Sequence, residues 1–191
     1  MVLHPVSASR VSSETIREIR ATVFRRREST LADEASRFSV VDLEVTLLSM
    51  RRDIRLLLET LPGAAFTAQP ANDDPVWSAG EIVAHLRHAQ MNIFLRATRA
   101  AAGLAAGRDA ERPDDDGVHP VRSRAASLAI LDDADRDLIE VFDSLPDAVD
   151  LERTVIDDKL GPTGVRDSLL FLAIHDDDHL GQLRELAREG S

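Results

Sequence analysis

Between Val40 and Leu61 the apolar residues Val40, Leu43, Leu47, Met50, Ile54, Leu57 and Leu61 recur at steps of three and four. That is the period of one face of an α-helix, sustained for about six turns. A stripe this long has to be buried against other elements, so the chain must supply them. Pro62-Gly63 then stops the helix.

Three more helices of comparable length can be read. After a Pro- and Asp-rich loop, Ser78 and Glu81 have the spacing of a capping box. The helix they open is expected to run to about Ala106, with Ile82, Leu86, Ala89 and Ile93 inward. The segment Gly107 to Pro120 reads as a polar loop. A third helix is expected from about Arg122 to Leu145, with Leu128, Leu131, Leu138, Phe142 and Leu145 on its inner stripe. Asp135 shares that stripe, and we read it as a hydrogen-bonded helix contact rather than as the wall of a polar cavity. Residues 146–164 read as irregular, with one extended piece at Arg153–Ile156. The fourth helix opens near Thr163-Gly164 and runs to about Glu189, with Asp167 suiting its positive end. Four long helices without a strand pattern give an all-α four-helix bundle over residues 38–191. Residues 1–37 form an N-terminal extension, partly helical or flexible. Ser13 is the expected cap of a short helix there, with Ile16, Ile19 and Val23 as a thin apolar face.

Composition narrows the function. The net charge is −11, and the best basic cluster is Arg25, Arg26 and Arg27. A polyanion would be repelled, so no nucleic-acid partner is expected. No apolar run is long enough to span a membrane. The first ten residues lack the apolar core of an export signal, so a cytoplasmic location is expected. The chain has no cysteine, which removes disulfides, thiolate nucleophiles and zinc–thiolate sites. The apolar face of a bundle, helped by Ile16, Ile19 and Val23, suits a homodimer.

The chemistry lies in the histidines. His175 and His179 stand four apart in HDDDHLGQL. At about 100° per residue, both fall on the stripe of Leu172, Leu183 and Leu186, with Gln182 beside it. Asp176 and Asp178 flank the stripe, and Asp177 points to the opposite, solvent side. Two inward imidazoles one turn apart can chelate a cation. On the second helix His85 borders the apolar stripe, while His88 lies farther toward the polar side. His85 is therefore the candidate third ligand, although a boundary core histidine bonded to a neighbour would look the same. His88 is read as a surface or supporting residue.

At these residues the chain resembles the DinB/YfiT-like family of bacterial metal-binding four-helix bundles. WSAGEIVAHL, Trp77 to Leu86, is similar to the family's second-helix start. GPTGVRDSLLFLAIHDDDHLGQL, Gly161 to Leu183, is similar to its last helix. The resemblance covers about Val40 to Glu189. It implies that His85, His175 and His179 are metal ligands and that Gln182 supports one of them or packs the helix. It also implies that Trp77 packs at the mouth of the second helix. Asp178, the other candidate supporting residue, stands where many members have a further histidine.

Three imidazoles without cysteine suit zinc or nickel as the divalent cofactor. Three protein ligands leave positions open for a small-molecule substrate. The resemblance implies a metal-dependent transferase or isomerase that activates a low-molecular-weight, mycothiol-like thiol. The alternatives are a metal-dependent hydrolase and a non-catalytic bundle that holds a metal or a small ligand. No general base stands out. Asp135, Asp176 and Asp178 are candidates, each better explained as structural or solvated.

Overall fold

The structure is a computed structural model and describes residues 8–67, 77–105 and 123–189. The expected loop at 107–120 and the expected helix limits at Ala106 and Arg122 lie outside them. In chain order the helices are α1 (Ser13–Arg20), α2 (Leu31–Ala35), α3 (Val40–Thr60), α4 (Ala79–Ala89), α5 (Arg96–Ala102), α6 (Arg124–Ser144) and α7 (Val165–Glu189). A π-helical turn, Ala21–Arg26, continues α1, and another, Gln90–Leu95, joins α4 to α5. Two short strands, β1 (Thr154–Asp157) and β2 (Gly161–Gly164), pair antiparallel with Val155 opposite Thr163. The described chain is thus an all-α bundle with one small hairpin.

Local chemistry sets the helix ends. The Ser39 hydroxyl accepts from the Asp42 amide, and the Asp42 carboxylate accepts from the Ser39 amide, closing a capping box on α3. Ser78 and Glu81 do the same for α4, as their spacing suggested. The second long helix is not one continuous α-helix. It widens into the π turn and ends at Gly103, whose φ of 74° is open to glycine at low cost. The cap of α1 is Ser12, one residue before the expected Ser13. The extended piece expected at Arg153–Ile156 is the first strand of the hairpin, shifted by one residue.

The bundle closes around α3 and α7, its most extensively packed pair, while α4 packs on α6. Leu43, Leu47, Met50, Ile54 and Leu58 of α3 are completely buried. Each such side chain contributes roughly 1.5–3 kcal/mol relative to exposure. The apolar interior falls into two clusters. One gathers Leu47 and Met50 of α3 with Leu170 and Ile174 of α7; the other gathers Ile54 and Leu58 with Ile82, Leu86, Leu180 and Leu183. Between them, at the level of HDDDH, lies a polar layer. Arg51 and Gln90 are its buried members on α3 and at the end of α4, and Asp176 on α7 completes it.

The N-terminal segment is part of this packing. Ile16 and Ile19 are buried, and α1 lies along α7. The Val11 amide donates to Thr46 Oγ1 at 2.8 Å, and Ser9 N donates to Asp42 Oδ1 at 2.9 Å. Among the described residues, no helix is long and apolar enough to cross a membrane.

Candidate metal centre

α4 and α7 bring His85, His175 and His179 together. His175 Nε2 lies 3.0 Å from His85 Nε2 and 3.3 Å from His179 Nε2. One ring nitrogen from each residue lies within 4.8 Å of the others. The arrangement follows from local sequence. The capped start of α4 turns His85 toward α7, and the four-residue step on α7 stacks its two imidazoles on one face. His179 is almost fully buried, and His85 and His175 are partly so.

The other faces of the rings are held. Gln182 Oε1 lies 2.8 Å from His179 Nδ1. A carboxamide oxygen can only accept, so His179 Nδ1 carries the proton and Nε2 keeps its lone pair free. Trp77 stacks on His179 at 5.8 Å between centroids, nearly parallel, and meets His85 edge-on at 4.6 Å. Phe94 closes on His175 at 5.3 Å. Burial, then the neighbouring His175, pushes both His85 and His179 down to about 4. Those two imidazoles are therefore neutral at pH 7, the form that ligates metal.

His175 Nε2 is in contact with the Nε2 atoms of both His85 and His179, and these atoms would repel if each presented a lone pair to the other. A cation between them removes that conflict. With Zn–N bonds of 2.0–2.1 Å, the edge of a coordination tetrahedron is about 3.3–3.4 Å, close to the two separations above. The residues present fit a divalent ion on geometry and on donor type.

The model of the DinB superfamily matches residues 46–183, more than half of the chain. The chain belongs to the DinB superfamily. Comparison with curated proteins and with solved structures returns no match. Within this DinB bundle, the matched region begins inside α3, so α1 and α2 lie before it.

The three aspartates of HDDDH each face an arginine. Asp176 is completely buried and its Oδ2 lies 2.9 Å from Nε of Arg51, itself 1% exposed. Arg51 Nη2 also donates to Gln90 Oε1 at 2.6 Å, and Gln90 Nε2 donates to the Ala134 carbonyl at 2.7 Å. Asp176 Oδ1 stands 3.6 Å from His175 Nδ1. Asp177 is not on a solvent face: it is 3% exposed, with Arg17 Nε of α1 donating to Oδ2 at 3.1 Å. The reason is tertiary, because α1 covers that side of α7. Asp178 pairs with Arg20 of α1. Burial raises its carboxyl, and Arg20 opposes that rise.

The remaining candidates of the DinB chain separate from the triad. His88 pairs with Asn92 through Nδ1 at 3.1 Å and stays apart from the three nitrogens. Asp135 is a helix contact, with Oδ2 3.6 Å from Arg55 of α3. Burial raises its carboxyl, with Arg51 and Arg55 pulling the other way. Arg51 and Gln90 were not among the residues singled out from the sequence, yet both bear on the site. The signal was present: Arg51 is four residues after Leu47 and three before Ile54, and Gln90 is four after Leu86 and three before Ile93. A polar residue in register with an apolar stripe marks a buried polar layer.

A cleft of about 580 Å³ opens beside the triad. Its walls include His175, His179 and Gln182 from α7 and Arg17 and Arg20 from α1.

Proposed function

We propose that His85, His175 and His179 hold a catalytic divalent metal, zinc or nickel, and that the protein is a metal-dependent enzyme acting on a small molecule. The observation that supports this best is the convergence of three imidazole Nε2 atoms beside an open cleft. Three protein ligands with free positions are the layout of a catalytic rather than a closed structural site. The favoured reaction is transfer or isomerisation assisted by a low-molecular-weight, mycothiol-like thiol. The chain itself contributes no cysteine, so any thiol has to arrive in solution.

A divalent ion bound there supplies Lewis acidity, favouring loss of a proton from a small thiol or from water. The chain's residues do the rest. Gln182 keeps the proton of His179 on Nδ1. Trp77 packs over two imidazoles and keeps water from that side. Asp176, anchored by Arg51, fixes the turn of α7 that carries His175. The cleft admits the reactants from the α1 side.

The test is conjugation of mycothiol to a fluorogenic electrophile such as monobromobimane, by protein loaded with zinc or nickel. The expected result is a rate well above background that disappears in His85→Ala. If parent and variant match background with thiol, and neither hydrolyses ester or amide substrates, the enzyme reading fails. A metal-holding bundle without turnover would then be the remaining account.

A further inference from the structure

The mouth of the cleft is lined by arginines. Arg17 and Arg20 of α1 face it from one side, and Arg184 and Arg188 of α7 face it from the other. Each pair is spaced so that its two members share a helix face. Three carboxylates, Asp177, Asp178 and Glu185, also border the space. Four guanidiniums against three carboxylates leave a local surplus of positive charge in a chain whose net charge is −11.

The two sides differ. Arg17 is neutralised by Asp177 and Arg20 by Asp178. Among the described residues, neither Arg184 nor Arg188 takes part in an ion pair. Two like charges one turn apart on a helix repel, and an anion between them relieves the repulsion. Arginine also offers the planar fork that matches a carboxylate. The cleft is the size of a small-molecule site and runs from these arginines to His175 and His179.

We propose that this cleft is an anion subsite, in which Arg184 and Arg188 bind the carboxylate of a small organic acid whose other end reaches the histidine triad. One surplus positive charge at the mouth matches one carboxylate group, leaving the other end of the ligand for the triad. α1 forms the second wall. Its two arginines cancel Asp177 and Asp178, which would otherwise repel the ligand. That wall, like Arg184 and Arg188, lies outside residues 46–183 matched to the family. The proposal refines the enzyme reading above by naming its substrate class, and it rests on that reading only for the role of the triad.

The test is calorimetric titration of the full chain with succinate, at low salt, with and without zinc. Succinamide serves as the neutral control and inorganic phosphate as the competing anion. The expected result is saturable succinate binding, with none for succinamide. Arg184→Gln/Arg188→Gln should weaken it at least tenfold while zinc content stays that of the parent. Both positions are on the cleft rim, so helicity and melting temperature should not change. Arg17→Gln should weaken binding too, by exposing the charge of Asp177. Unchanged succinate affinity in the Arg184/Arg188 variant overturns the proposal. So does equal binding of succinamide, or a phosphate affinity above that for succinate. If zinc fails to bind but succinate still binds in an arginine-dependent way, the subsite stands and the metal reading fails.

Discussion

The polar layer across the bundle gives a prediction whose size can be worked out. Asp176 and Arg51 are 0% and 1% exposed, and their charged atoms approach to 2.9 Å. Replacing Asp176 with alanine removes the anion and leaves a guanidinium in the centre of the bundle. Gln90 Oε1 remains as an acceptor for Arg51 Nη2, but it carries no charge. Breaking a buried pair in this way costs about 3–5 kcal/mol, a large part of a total stability of roughly 5–15 kcal/mol. For a chain of this size each kcal/mol moves the melting temperature by about 2–4 °C, so Tm should fall by about 6–20 °C. Urea denaturation of metal-free protein measures the loss directly, with m values compared to check that the transition stays two-state. Arg51→Met combined with Asp176→Leu should recover most of it, because the desolvation cost of both ions disappears. A single-variant loss below about 1 kcal/mol would refute the reasoning. It would mean that water reaches Arg51 and that the layer is not the dry partition between the two apolar clusters described above.

Other outcomes follow from the same geometry. Gln182→Ala frees the Nδ1 side of His179 and should lower metal affinity about 10–100-fold with little effect on folding, read by competition with a chromogenic chelator. Ser78→Ala removes one half of the α4 capping box and should cost about 0.5–2 kcal/mol in denaturant melts. His85 and His179 sit at about 4 in the fold, below the 6.5 of an unfolded chain. Between those values the unfolded state binds more protons, so metal-free protein should lose stability as pH falls from about 6.5 to about 4, and lose less in a His85→Leu/His179→Leu variant. Equal pH slopes in the two proteins would contradict the burial of neutral imidazoles.

The helices of the bundle could be read from sequence because burial on one face leaves a period in the residues themselves. The α3 stripe, its stop at Pro62-Gly63 and the Ser78/Glu81 capping box of α4 are local, and the first two set α3 to within a residue. The inward turn of His175 and His179 is likewise a property of one helix. What the wheel missed depends on neighbours. Asp177 lies opposite the histidines on α7, and a wheel cannot know that α1 packs there and brings Arg17 to it. The π turn after α4 shifts the inward face by a residue, so Phe94 is buried where the wheel placed Ile93, which is only partly buried. Arg51 and Gln90 did have a signature, a polar residue in phase with leucines and isoleucines. Its meaning became plain only with Asp176 and the Ala134 carbonyl across the layer.

The most direct test of the central claim is elemental analysis of protein purified without a metal-affinity tag, beside a His175→Ala/His179→Ala variant. The account predicts close to one equivalent of zinc or nickel in the parent, none in the variant, and the same helical content in both. A parent that holds no metal after supplementation, or a variant that holds as much as the parent, would contradict it.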